Sequence, residues 1–166
     1  MINENRAQIS GEYLLLVGSL ILIALISIAF IAHQHEITLA MTAAKNGVNE
    51  GLSISSSGIY PKDSYNDYSK SDYLILEPYS VEIINISYSD MGYDSNYNKQ
   101  KIQFKVYAHI SKDFSKKELD SVGDRINYNL RKSIAYTFGS VDATNKLYNP
   151  VFSQHYIFTT ANVNWL

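Results

Sequence analysis

The chain has 166 residues, 46% hydrophobic and 18% charged, with a net charge of −2 from 14 basic and 16 acidic groups, which fits one ordinary domain plus a segment. It contains no cysteine, which excludes a disulfide framework, a thiolate zinc site, an iron–sulfur cluster and a cysteine nucleophile, and its pI of about 6.0 leaves no electrostatic footprint for nucleic acid as a partner. Tyr, Ser and Asn together supply 48 residues, an uncharged hydrogen-bonding and aromatic surface that suits an extracellular protein better than a cytosolic enzyme.

The first element is an apolar run. Tyr13 to Ala32 holds twenty residues without a charge, bounded by Glu12 and by His33-Gln34-His35-Glu36. A helix of that length spans about 30 Å, the thickness of a bilayer's hydrocarbon core. Soluble helices are rarely apolar all round for so long, so a membrane segment is expected rather than a core helix. A secretory signal peptide would have a shorter apolar stretch followed by a small-residue cleavage site. Here the basic and small residues, Arg6 and Ala7, stand before the run instead.

Gln8-Ile9-Ser10-Gly11-Glu12-Tyr13-Leu14-Leu15-Leu16 follows them directly. This string resembles the class III signal peptide of archaeal type IV pilin-like proteins, Q-x-S-x-E-x-x-x-L. Gln8, Ser10, Glu12 and Leu16 stand at every fixed position, and Arg6 and Ala7 match the basic and small residues before the cut. The resemblance covers about the first 32 residues. It implies that a membrane-embedded prepilin peptidase cuts between Ala7 and Gln8, recognising Arg6, Ala7, Gln8, Ser10, Glu12 and Leu16. Residues 1–7 would then be a leader, 8–52 a stem helix and 53–166 an extracellular head. It further implies the other partners of such a subunit: a pilus assembly ATPase, a membrane platform and other pilin subunits. The precursor would reside in an archaeal cell membrane, and the mature chain in a surface filament.

Glu12 has two readings. One places it at headgroup depth near the first turn, where the positive end of the helix dipole favours a carboxylate. The other follows from the resemblance: cleavage exposes an α-amino group on Gln8, and Glu12 of an incoming subunit pairs with that group on its neighbour. In a water-poor filament core either partner alone would be a stranded charge, so the pair would set axial register. Cyclisation of an N-terminal Gln would remove that charge.

Helical periodicity continues beyond the apolar run. Ile37, Met41, Ala44, Val48 and Leu52 form one stripe, with Glu36, Lys45, Asn46, Asn49 and Glu50 largely off it. Tyr13 to Leu52 therefore reads as a single helix of roughly 60 Å, apolar all round and then amphipathic. Gly18 beside Ser19 suits close helix approach or a kink, and Gly47 and Gly51 blur the helix end. Ser53 to Asp72 reads as a loop joining stem to head.

In the head, Tyr73–Glu77 and Val81–Ser89 read as short strands, then a long polar hairpin loop carries Met91-Gly92. Lys101 to Ile110 alternates apolar and polar and reads as the clearest strand. Ser115-Lys116-Lys117-Glu118 is a capping box opening a helix whose stripe is Leu119, Val122, Ile126, Leu130, Ile134 and Phe138, ended by Gly139. Val151 to Val163 alternates as a final strand. The expected fold is α+β: a long N-terminal helix with a small head of antiparallel strands packed on one amphipathic helix. The long head helix departs from the mainly stranded heads of the family the leader resembles.

No catalytic motif or cofactor is indicated, since no phosphate loop, H-E-x-x-H or G-x-S-x-G string occurs. His33 and His35 are about 200° apart around a helix, a poor arrangement for one metal ion. His109 and His155 could meet across neighbouring strands, but they lack a third ligand. Asn85-Ile86-Ser87 is the N-x-[ST] sequon, making Asn85 a candidate N-glycosylation acceptor unless its strand buries it. Tyr60, Tyr65, Tyr68 and Tyr73, with Tyr88, Tyr93 and Tyr97, read as adhesive or subunit-contacting surface, or as ordinary loops. The expected function is a structural, non-enzymatic subunit of an archaeal type IV pilus-like filament serving adhesion. The alternatives are a minor or priming pilin and a single-pass membrane-anchored binding or sensor domain.

Overall fold

A computed structural model describes residues 3–57 and 80–166, with side chains over 11–53 and 80–166. The fold is α+β, with a long apolar N-terminal helix and a second helix packed on a small sheet. The chain divides into two compact units, Met1–Thr38 and Leu39–Leu166.

The first unit is helical. Helix α1 runs Asn3–Ser57, so it begins five residues before Gln8 and ends five after Leu52. Residues 3–8 hold no Gly or Pro, and Glu4, Arg6, Ala7 and Gln8 are good helix formers, so nothing there stops the helix. At the other end it takes in Gly47 and Gly51 and the first residues of the segment read as a loop.

In the second unit, the last turns of α1 pack through small residues. Ala40, Ala43, Ala44 and Val48 are buried, as are Gly47 and Gly51, while Met41 and Leu52 are half-buried. Lys45, Asn46, Asn49 and Glu50 are exposed, as the periodicity predicts. A Cβ on Gly47 would lie 2.4 Å from the Asn129 carbonyl oxygen and 2.7 Å from Leu130 Cα. The two glycines are therefore not a helix end: they let α1 touch the backbone of α2, which runs Lys116–Thr137.

Helix α2 opens on the expected capping box. The Glu118 amide donates to Ser115 Oγ at 3.4 Å, and the Ser115 amide donates to the Glu118 carboxylate at 2.8 Å. Val122, Ile126, Leu130 and Ile134 are buried and Leu119 and Phe138 half-buried. Gly139 follows at φ +61°, and the Ser140 amide returns to the Ala135 carbonyl. Arg125 to Leu130 is buried without a break, because α2 meets α1 on one side and the sheet on another.

The sheet contains β1 (Val81–Asp94), β2 (Lys99–Ile110), β3 (Val151–Phe152), β4 (Tyr156–Thr160) and β5 (Asn164–Trp165). The order is β1-β2-β4-β3, with β5 also beside β2. The sheet is mixed rather than wholly antiparallel: β1–β2 and β3–β4 are antiparallel, whereas β4 and β5 run parallel to β2. Parallel neighbours need a crossover, and α2 lies on the chain between them.

Two expected boundaries change. The long hairpin loop is mostly strand, because β1 continues to Asp94 and the turn shrinks to Ser95–Asn98. A bulge absorbs the extra residue between Asp90 and Tyr93, with Gly92 at φ +84° and its amide donating to Asp90 Oδ1 at 2.8 Å. The single strand expected over Val151–Val163 is broken by a turn at Ser153–His155, where the Ser153 amide donates to the Tyr156 carbonyl at 3.0 Å. Tyr156, Ile157 and Phe158 are all buried, since β4 lies inside the sheet. The strand expected at Tyr73–Glu77 lies outside the described residues.

The core is a chain of rings and branched side chains. Phe104 lies 5.9 Å from Phe158, which stacks on Phe138 at 5.6 Å and on Tyr156 at 6.0 Å. Ile102, Val106, Ile126, Leu130, Ile134, Ile157 and Val151 complete it.

Candidate functional site

The N-terminal signature lies on one helix. Arg6, Ala7, Gln8 and Ser10 are all within α1, so the Ala7–Gln8 peptide bond is helical; the side chains of these four lie outside the described residues. Gln8 and Glu12 are four residues apart, a spacing that puts them on one face of the helix, one turn from each other. Glu12 and Leu16 are exposed.

Beyond Glu12 the helix is bare. Every Leu, Ile and aromatic side chain from Tyr13 to Ile31 is 56–74% exposed. Covering each would be worth about 1.5–3 kcal/mol, a strong drive to take this surface out of water. The helix is long and apolar enough to cross a membrane. Its polar atoms are neutralised internally: Ser19 Oγ donates to the Leu16 carbonyl and Ser27 Oγ to the Ile23 carbonyl, both at 2.8 Å. Such back-bonding hides hydroxyls that would otherwise be unsatisfied in hydrocarbon. Gly11 and Gly18 have open space around them, with nothing within 4 Å of an added Cβ.

The remaining sequence candidates scatter. His109 and His155 do not meet: His155 adjoins Tyr156, which is in register with Gln100, nine residues along β2 from His109. Nine residues of strand separate them by about 30 Å. His109 Nδ1 instead lies 2.9 Å from the carbonyl oxygen of Leu166. Among the described residues no group of three or more His, Cys, Asp or Glu is arranged to hold a metal ion.

Asn85 is exposed on β1, directly after a bulge that turns Ile84 outward to 54% exposure. It faces Tyr107 across the ladder but is not buried by it. Tyr88, Tyr93 and Tyr97 gather on the β1–β2 hairpin at 43%, 66% and 48% exposure, with Tyr97 leaning on Phe152 at 5.3 Å. Tyr60, Tyr65, Tyr68 and Tyr73 lie outside the described residues.

Sequence spacing passed over one feature of the head. Lys116, Asp120, Asp124, Asn127 and Arg131 follow each other down one side of α2 at intervals of four, four, three and four, and they line hollows closed by the C-terminal segment. The polar stripe was legible in the sequence, but its cover, Asn162, Val163 and Trp165, comes from residues more than thirty positions away.

Comparison of the chain with protein-family models, with curated proteins and with solved structures finds no match.

Proposed function

We propose that this chain is the structural subunit of an archaeal type IV pilus-like surface filament, cut before Gln8 and assembled through α1, and that it serves adhesion. The observation that carries the reading is the bare helix. A helix apolar on every side from Tyr13 to Ala32, left uncovered by the other described residues, calls for outside partners, first lipid and then other copies of itself. The class III signature stands directly ahead of it, and a plain anchor has no reason to place Gln, Ser and Glu at those intervals.

Cleavage then has a physical purpose. Before the cut, residue 8 carries a peptide N–H; afterwards it carries an α-ammonium on the helix face that also bears Glu12. In a filament core with little water, each of those charges is costly alone and stable when paired with the other from a neighbour. The pairing selects one axial offset between subunits. Because the Ala7–Gln8 bond is helical, the peptidase must unwind the first turns of α1, and a helix end opens more readily than a helix middle.

The test is intact-mass measurement and N-terminal sequencing of the protein from its native cells, in membrane and sheared-filament fractions. A chain beginning at Gln8, or its cyclised form, in the sheared fraction is the expected result. A chain still beginning at Met1 and confined to membranes would sink the filament reading and leave a tethered binding or sensor domain.

A further inference from the structure

The back of the sheet carries a charge pattern that its core side does not. Alternate residues of a strand share a face, so Lys99, Lys101, Gln103, Lys105, Tyr107 and His109 of β2 stand opposite the buried Ile102, Phe104, Val106 and Ala108. Residues paired across a ladder also share a face. Ser87 therefore stands beside Lys105, and Ser89 and Thr159 flank Gln103 on its two sides.

The ends of this row are compensated and its centre is not. Asp94 is in register with Lys99 and Glu82 with His109, whereas Asp90, the remaining acidic residue of β1, pairs with Ile102 on the core face. The Lys99 ammonium is also occupied, donating to the Ser153 and Gln154 carbonyls. Lys101 and Lys105 lie between these ends, about 13 Å apart along the strand. Among the described residues neither ammonium has a hydrogen-bond or ion-pair partner. The centre of the face is thus a pair of uncompensated cations bordered by hydroxyls and one amide.

That pattern narrows what can lie on it. A small anion reaches one of the two cations but not both. A folded protein partner needs an apolar patch at the centre of its interface, and the centre here is Lys101, Gln103 and Lys105. A nucleic acid carries a phosphate about every 3.4 Å of strand, so most of its charges along the row would go unmatched. An extended chain with sparse negative charge and many hydroxyls matches both features, since each acidic group meets an ammonium while each hydroxyl donates and accepts. We propose that the back of the sheet binds an anionic polysaccharide, its acidic groups on Lys101 and Lys105 and its hydroxyls on Ser87, Ser89, Gln103 and Thr159. The site gives the adhesion reading a class of target, yet it rests on the sheet alone and is tested independently of the cut before Gln8.

The experiment measures binding of the full chain, in an amine-oxide detergent, to immobilised polygalacturonate and chondroitin sulfate, which present carboxylates alone and carboxylates with sulfates. Uncharged dextran, poly-L-glutamate and an oligothymidylate are the comparison probes. Saturable binding to at least one acidic polysaccharide, weakened by salt, is expected. An exposed ion pair is worth up to about fivefold in affinity, and sites this far apart add, so Lys101→Gln with Lys105→Gln should bind about tenfold more weakly. Lys101→Arg with Lys105→Arg keeps both charges and should retain binding. Lys116→Gln with Lys117→Gln removes the same charge from exposed positions at the start of α2 and should bind as the native chain does. Circular dichroism checks that each variant keeps the fold. The proposal is overturned if neither acidic polysaccharide binds, if dextran, poly-L-glutamate or oligothymidylate binds as tightly, if the α2 pair costs as much as the sheet pair, or if the sheet pair costs nothing.

Discussion

At the scale of single residues, the same amino acid does opposite things in two places. Gly18 stands in open space on α1, whereas Gly47 sits 2.4 Å, measured from an added Cβ, from a backbone oxygen of α2. Gly18→Ala should therefore raise helix stability by about 1 kcal/mol. Gly47→Ala should destabilise the head by about 1–3 kcal/mol through overpacking, despite the better helix propensity of Ala. Thermal and denaturant unfolding of the two variants should move in opposite directions.

The carboxylates also divide. Hydrogen bonds from the Ser115 hydroxyl and amide hold the Glu118 carboxyl below its ordinary value, so its stabilising contribution is present above the unfolded pKa and is lost as pH falls through the folded one. Asp124 keeps an exposed edge yet is shifted upward, chiefly by partial desolvation, with Arg131 opposing and Asp120 adding to it. Its folded form binds the proton more tightly, so its contribution grows as pH falls through the folded pKa and declines as pH rises. Asp124→Ala should thus steepen the acid loss of stability, while Ser115→Ala should flatten it and cost about 1 kcal/mol at neutral pH. Stability curves between pH 3 and pH 7 would separate the two. Asn85 is exposed beside a bulge, so a head outside the membrane presents it to the glycosylation machinery. The native protein should carry a glycan mass that Asn85→Gln removes.

At the scale of elements, helices were more legible than strands. The α2 capping box, its apolar stripe and the stop at Gly139 all follow from local spacing, because a helix closes its hydrogen bonds within a few residues. Strand limits depend on a distant partner. The polar stretch from Asp90 to Asp94 looks like loop, yet it pairs with Lys99–Ile102 because one glycine bulge keeps the ladder in register. Likewise Tyr156–Phe158 is buried on consecutive residues rather than alternately, since β2 and β3 flank it. Phe104 and Phe158 join these strands to α2 through Phe138. Either one changed to Ala should cost about 3–5 kcal/mol, enough to unfold much of a typical small head, visible as lost cooperativity in near-ultraviolet dichroism.

At the scale of the whole molecule, the proposed function turns on one charge and one bare surface. Glu12→Gln leaves the helix intact but removes the partner proposed for the new α-ammonium. If Glu12 acts in assembly, the variant should be cut before Gln8 yet be missing from sheared filaments and accumulate in the membrane, whereas a variant left uncut would assign Glu12 to peptidase recognition instead. If Glu12 serves only the headgroup region, filament yield should stay as in the native chain. The apolar run, the string that resembles a class III signal, the amphipathic continuation and the second helix were all legible in the sequence itself, since each rests on contacts a few residues long or on composition alone. Only the tertiary structure decided that Gly47 and Gly51 are a helix crossing, that β4 runs parallel to β2, that His109 and His155 stand apart, and that Trp165 closes a hollow over Asp120 and Asp124. Those facts depend on which distant segments meet, and side-chain periodicity specifies the face an element buries but not the partner that covers it.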